Sequence, residues 1–267
     1  MHPALRALCW VLVIQFVLRF VLHTMLFHPQ TADDVEARAL GAETVSYAAD
    51  DGPLLRGYWM DAVGPRQRTV VCFHGNGETA SQNTSWAAAL AAQGSDVLLA
   101  EYRGYGGSTG SPSARGIERD ADAAIRYLTD ERQVPLDELV VYGRSLGGAA
   151  AIHVLSGTAR EARAGVLHST FTSLHDLASN TLGVPLTRLV VDGWALNSVA
   201  KATRVRVPIF HAHGDSDTLI PYRIAEQLHA AFPPHPNSRF LTVLGGTHNS
   251  FERSTYDAIE AFIRDAR

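Results

Sequence analysis

Glu138-Leu139-Val140-Val141-Tyr142-Gly143-Arg144-Ser145-Leu146-Gly147-Gly148-Ala149-Ala150-Ala151-Ile152 is the stretch from which the rest of the chain is read. Residues 138–142 are short and apolar, the composition of a strand buried on both faces of a parallel sheet. Residues 145–156 are rich in alanine and read as a helix. Between them Gly-x-Ser-x-Gly falls on a strand-to-helix turn. So sharp a turn leaves no room for side chains at 143 and 147. It also holds Ser145 in a strained backbone with its hydroxyl exposed. The following helix aims the positive end of its dipole at that hydroxyl, which favours developing negative charge. The five residues alone would equally describe a glycine-rich turn with a serine N-cap; the strand before and the helix after distinguish the two. The glycine spacing does not give the dinucleotide-binding pattern Gly-x-Gly-x-x-Gly.

Working outward, strand-like and helix-like runs alternate. Strands are expected at 44–48 and 54–60, joined by the turn Asp50-Asp51-Gly52-Pro53. A strand at 69–74 precedes an alanine-rich helix at 79–93 that Gly94 stops. A strand at 96–102, a helix at 113–129 and strands at 164–168, 207–213 and 239–244 complete the pattern. Such alternation implies βαβ units, a mainly parallel sheet and helices on both faces. Functional residues should then stand just after the strands, at their carboxyl ends. Residues 171–203, with Pro185 and Trp194, break the alternation and are expected to form a small lid over those ends.

A serine hydroxyl is a weak nucleophile and needs a base oriented by an acid. On an elbow of this kind the partners follow in the order acid, then histidine. His248 stands after strand 239–244 in Gly245-Gly246-Thr247-His248. Among twelve histidines it is singled out by that position. Asn249 and Glu252 read as a capping box opening the last helix. The acid lies in His213-Gly214-Asp215-Ser216-Asp217, and both aspartates qualify on position; the other should bond local backbone. Two backbone N–H groups are needed for the tetrahedral oxygen. Leu146, after the nucleophile, supplies one. Asn76, in the loop His74-Gly75-Asn76-Gly77, supplies the second, because flanking glycines let backbone approach the substrate. His211 and His213 form His-x-His without a suitably placed third metal ligand, so they read as strand and turn residues. Nothing in these motifs calls for a cofactor.

Together these motifs resemble the Bem46-like branch of the α/β-hydrolase superfamily, also described as serine aminopeptidase S33-type proteins. The resemblance rests on His74-Gly75-Asn76-Gly77, the run from Tyr102 to Pro112, Gly143-Arg144-Ser145-Leu146-Gly147-Gly148, Phe171-Thr172-Ser173, His213-Gly214-Asp215-Ser216-Asp217 with Ile220-Pro221, and Gly246-Thr247-His248-Asn249. It implies an α/β-hydrolase fold: a mostly parallel eight-stranded sheet with helices on both faces and a small lid. The family pattern His-Gly-x-x-Asp-x-x-(Val/Ile)-Pro selects Asp217 as the acid. The implied activity is acyl transfer by Ser145, Asp217 and His248 on a carboxylic ester or thioester, and lipid-like acyl substrates fall within the resemblance because members include lipases and depalmitoylating thioesterases. Two other readings stand beside it. A peptidase acting near a free amino end would need carboxylates in the lid, where Asp176 and Asp192 are candidates. A non-catalytic binding protein on the same fold would be expected to have lost a triad member, and none is lost.

Across its 267 residues the chain is 46% hydrophobic and 19% charged, as expected of a globular protein with a large core. A net charge of −4 and the absence of a basic run exclude nucleic acid as a partner. Cys9 and Cys72 read as small apolar side chains, not a disulfide or a metal pair, and Arg6-Ala7-Leu8 is a poor lipobox for Cys9. Residues 4–27 are apolar and exceed the roughly 20 residues that cross a bilayer. Arg19 interrupts them at a cost of about 2.5–3.5 kcal/mol if central. Gln15, Arg19 and His23, spaced by four, make one polar stripe, and Arg19 can snorkel. Residues 1–29 are therefore expected to be an uncleaved membrane anchor. A cleaved signal peptide would need an Ala-x-Ala-like site before His28-Pro29, and a helix lying in the interface is the third reading. Arg6 before the stretch and Asp33, Asp34 and Glu36 after it place the catalytic domain on the non-cytoplasmic side. Residues 30–42 read as an acidic linker and 43–267 as the hydrolase domain.

Overall fold

Apolar strand runs and amphipathic helix runs assemble as their alternation demands. The computed structural model describes residues 26–182, 196–250 and 252–266, with isolated positions at 6, 9, 10 and 13. In chain order the elements are α1 (Val35–Ala39), β1 (Glu43–Ala48), β2 (Leu54–Met60), β3 (Arg68–Phe73), α2 (Thr84–Ala91), β4 (Ser95–Ala100), α3 (Ala114–Arg126), β5 (Leu139–Arg144), α4 (Leu146–Leu155), β6 (Ala164–His168), α5 (Leu174–Leu182), α6 (Ser198–Ala202), β7 (Ile209–Gly214), α7 (Tyr222–Ala230), β8 (Arg239–Val243) and α8 (Arg253–Asp265). Among the described residues the strands form one eight-stranded sheet in the order β1-β2-β4-β3-β5-β6-β7-β8. β2 runs antiparallel to both its neighbours, and the remaining pairs are parallel. Val70 lies level with Val97 on one side and Val140 on the other.

The period of two sends alternate side chains to opposite faces. Val71, Phe73, Leu98, Val141 and Leu167 pack on one face with Ile117 of α3, Ile152 of α4 and Leu228 of α7. Val70, Cys72, Leu99, Val140 and Val166 pack on the other with Ala37 of α1, Leu90 of α2 and Phe262 of α8. Burial on both faces explains why the inner strands such as β3, β5 and β6 read as largely apolar runs, while β1 at the sheet edge alternates. Each buried Val or Leu contributes about 1.5–3 kcal/mol.

Three differences from expectation have local causes. The helix expected at 79–93 opens with a 3-10 turn at Ala80–Asn83 before α2. There Glu101 at the end of β4 accepts the Ala80 N–H at 2.9 Å, which ties the segment down. The helix expected at 113–129 ends as α at Arg126 and closes in a π turn over Tyr127–Glu131, while Ser113 caps its start by accepting the Gly116 N–H at 3.0 Å. The Asn249–Glu252 capping box does not form. α8 begins at Arg253 behind Glu252, because Asn249 Oδ1 accepts from Arg144 at 2.8 Å instead.

The expected anchor, residues 1–29, lies outside the described residues except at the isolated positions and at 26–29. Among the described residues no helix is long and apolar enough to cross a membrane. Residues 30–42, read as a linker, carry α1. Asp34 there accepts from Arg56 and the Tyr58 hydroxyl. Of the expected lid, residues 183–195 lie outside the described residues, and α5 and α6 make up much of the remainder.

Candidate active site

The elbow is built where β5 gives way to α4. Ser145 sits between them at φ 52° and ψ −115°, a left-handed conformation costing on the order of 1–3 kcal/mol. The flanking glycines are there for space. A Cβ at 147 would lie 2.0 Å from the Phe73 carbonyl oxygen, and one at 143 would lie 2.2 Å from that of Gly147. The end of β6 holds the strained turn. The Ser145 N–H donates to the His168 carbonyl at 2.9 Å, and the Thr170 hydroxyl donates to the Ser145 carbonyl at 2.8 Å.

The two predicted partners meet this serine from loops after β7 and β8. His248 Nε2 lies 3.1 Å from Ser145 Oγ, and His248 Nδ1 lies 2.8 Å from Asp217 Oδ2. The carboxylate draws the imidazole proton to Nδ1 and leaves the Nε2 lone pair facing the hydroxyl. Asp217 Oδ1 accepts the N–H groups of Leu219 at 2.9 Å and Ile220 at 2.8 Å. Burial works to raise the Asp217 carboxyl, but the bonds from His248 and Ile220 prevail and hold it below its ordinary value. Asp215 bonds local structure: its Oδ1 accepts from the Gly245 N–H at 2.7 Å and the Ser216 hydroxyl at 3.1 Å. His213 Nε2 donates to the Ile220 carbonyl at 2.8 Å and braces the aspartate loop; burial pushes its pKa below the ordinary value.

Asn76, Leu146, Ser145 and His248 all line one cavity of about 320 Å³. Leu26, Phe171, Leu174, Leu177 and Leu219 make its apolar wall. Among the described residues neither the Asn76 nor the Leu146 backbone N–H donates to a protein acceptor. The loop carrying Asn76 is held from below by His74, whose Nδ1 donates to the Gly75 carbonyl at 2.8 Å and whose Nε2 meets Glu101 at 2.5 Å.

Two charged residues in the cavity carried no role in the sequence reading. Arg144, the second residue of the elbow motif, pairs with Glu78. The same guanidinium donates to the His248 carbonyl at 3.3 Å and to Asn249. Glu78 in turn accepts the Gly75 N–H at 3.3 Å. The pair thus ties together the loops bearing Asn76, Ser145 and His248. Charges at the elbow and three residues past Gly75 were the available signal. Of the lid carboxylates, Asp176 accepts from the Thr172 hydroxyl at 2.6 Å, and Asp192 lies outside the described residues. Among the described residues no group of three His, Cys, Asp or Glu side chains could hold a metal. His211 is wholly buried, and burial holds its pKa well below the ordinary value.

The strand order and the serine elbow at the carboxyl edge of the sheet define an α/β-hydrolase. The model of the family "Serine aminopeptidase, S33" matches residues 64–199, and the chain belongs to that family. It is similar to the protein Rv2307c of Mycobacterium tuberculosis, 35% identical over 221 residues that cover 80% of this chain and 76% of the relative. It is also similar to the protein bem46 of Schizosaccharomyces pombe, 29% identical over 185 residues, 67% of this chain and 62% of the relative. Among solved structures, the esterase Pf2001 of Pyrococcus furiosus superposes with a TM-score of 0.74 at 20% identity, covering 89% of this chain and 97% of the esterase.

Proposed function

We propose that the protein is a serine hydrolase that cleaves carboxylic esters or thioesters through an acyl-enzyme. The observation that carries this is the hydrogen-bonded series Ser145 Oγ–His248–Asp217, at 3.1 and 2.8 Å, opening onto a largely apolar cavity. His248 Nε2 takes the hydroxyl proton as Ser145 Oγ bonds to the acyl carbon. The N–H groups of Leu146 and Asn76 stabilise the negative oxygen. Collapse breaks the carbon–oxygen or carbon–sulfur bond, and the proton on His248 passes to the leaving alcohol or thiol. Water, deprotonated by His248, then releases the carboxylic acid and restores Ser145. The apolar wall suits an acyl chain better than an α-amino group. Glu78, the carboxylate in the cavity wall, is already committed to Arg144. We further infer that residues 4–27 hold the catalytic domain at a membrane surface.

A fluorophosphonate probe tests the nucleophile: it should label the native protein and fail to label Ser145→Ala. Labelling that persists in the variant would remove Ser145 from the mechanism. A panel of p-nitrophenyl esters, acyl-thioesters and amino-acid anilides tests the substrate class, and turnover of anilides above esters would favour the peptidase reading.

A further inference from the structure

We propose that residues 26–30, the chain as it leaves the apolar N-terminal stretch, are a brace that sets the oxyanion donor at Asn76. The inference rests on the acyl-transfer reading above. It begins from the two ends of one residue. Asn76 lines the cavity that holds Ser145, and its backbone N–H is the donor assigned to the oxyanion, while its side chain is bonded into the N-terminal segment. Its Oδ1 accepts the His28 N–H at 2.9 Å and the Tyr105 hydroxyl at 2.7 Å. Its Nδ2 donates to the Leu26 carbonyl at 2.7 Å. An amide bonded at both ends cannot turn about its last torsion without losing all three bonds. Fixing the side chain restricts the first torsion as well, and so the peptide whose N–H is assigned to the oxyanion.

The segment is itself fastened. Phe27 is 5% exposed and packs into the same apolar core as Tyr102 and Tyr105. Gln30 accepts the Gly106 N–H at 2.9 Å. The segment also crosses close above the loop, since a Cβ at Gly77, where φ is +75°, would stand 3.9 Å from the His28 Cβ. Leu26 and His28 line the catalytic cavity. Asparagine suits position 76 because its amide offers an acceptor to two donors and a donor to one carbonyl. Aspartate would set a negative charge against the Leu26 carbonyl. The apolar stretch at 4–27 overlaps the brace at Leu26 and Phe27 and is thereby joined to the oxyanion site, so docking of the brace and catalytic competence are coupled.

Transition-state binding distinguishes this role from a merely structural one. His28→Pro deletes the N–H given to Asn76, and His28→Ala removes the imidazole while keeping that N–H, so their ratio isolates the bond. Tyr105→Phe removes the other donor to Asn76 Oδ1 and keeps the ring in the core. All are made in the full chain and assayed on a p-nitrophenyl ester. Loss of a whole oxyanion donor costs about 10²–10³ in kcat. A loosened donor should therefore cost about 10–100-fold in His28→Pro relative to His28→Ala, and about tenfold in Tyr105→Phe. KM should stay within about twofold. The inhibition constant of a trifluoromethyl ketone, which presents a tetrahedral oxyanion, should rise by the same factor as kcat/KM falls. The brace is refuted if kcat is equal in His28→Pro and His28→Ala, if KM alone moves, or if thermal stability falls while ketone binding does not. In each of those cases Ser145 labelling stands. Loss of Ser145-dependent labelling in the unsubstituted protein would instead refute the acyl-transfer reading, and the brace with it.

Discussion

Asp217→Asn exposes the logic of the site most directly, because the replacement keeps the shape and changes one proton. Asp217 Oδ1 accepts two backbone N–H groups, from Leu219 and Ile220, and Oδ2 accepts His248 Nδ1–H. An asparagine keeping its oxygen at the Oδ1 position preserves both loop bonds. Its NH₂ then confronts His248 Nδ1. Two donors cannot face each other, so the imidazole must carry its proton on Nε2, 3.1 Å from Ser145 Oγ. The base becomes a donor toward the hydroxyl it should deprotonate. The flipped amide is worse, since it would set NH₂ against the Leu219 and Ile220 N–H groups at about 1–3 kcal/mol for each unpaired donor.

Wrong-tautomer triads lose about 10⁴ in kcat, which is about 5.4 kcal/mol of barrier at 1.36 kcal/mol per decade. The residue left comes from the oxyanion donors and binding. Stability should fall by only about 1–2 kcal/mol at neutral pH, the difference between a charge-assisted and a neutral bond. The sign of the pH dependence follows from the lowered carboxyl. Its stabilisation is complete above the unfolded value near 4 and is lost as pH falls through the folded value. The gap between parent and variant should therefore be level from pH 5 to 8 and close in acid. Initial rates on a p-nitrophenyl ester and urea melts measure both quantities. An Asp217→Asn protein within tenfold of the parent would refute the tautomer reasoning. A 10⁴ loss in Asp215→Asn, whose amide oxygen can still accept from Gly245, would move the acid to Asp215.

Two further outcomes are expected. Ser145→Gly should be more stable than Ser145→Ala by about 1 kcal/mol in calorimetric melts, because glycine accepts φ 52° without strain; equal stabilities would show that the elbow stores none. His211 is buried with both ring nitrogens unpartnered among the described residues and is held neutral. Below pH 6.5 the unfolded chain binds a proton that the folded chain refuses, so stability falls with pH by about 1.4 kcal/mol per unit. His211→Leu should remove that slope from urea melts between pH 6.5 and 5. His168, lowered to about 3 by its burial, supplies a like contribution that remains.

What the sequence disclosed follows from which interactions are local. Strand runs such as Val140-Val141 and the glycines at 143 and 147 record constraints felt within a few residues, and the observed β5–α4 turn matches them. His248 and Asp217 were legible because chain order along a parallel sheet maps onto position along its carboxyl edge. The choice between Asp215 and Asp217 needed the family pattern, since loop geometry separates two aspartates that composition does not. Asn249 departs from its local pattern for the opposite reason. Its local pattern suits a helix cap, but a partner 105 residues away, Arg144, takes the side chain. No periodicity encodes such a long-range bond. Glu78 and Arg144 escaped in the same way: each is an unremarkable charge until the loops after β3, β5 and β8 converge.

That convergence explains why the site can be rigid although loops build it. Parallel strands end level with one another, so their following loops arrive at one edge, yet nothing in the sheet fixes their tips. The tips are fixed by side chains crossing between loops: Glu101 to His74, Glu78 to Arg144, Arg144 to the His248 carbonyl, Asp215 to the Gly245 N–H. Each crossing removes a hinge about which a reacting group could drift, and a drift of about 1 Å can cost 10² in rate. Asn76 fits the same scheme: one bond reaches Tyr105 in the loop after β4, and two others reach the segment beside the apolar stretch. If catalysis depends on those two bonds as on the others, the N-terminal residues are part of the catalytic architecture. A change there, remote in sequence from Ser145, should then appear in kcat before it appears in stability.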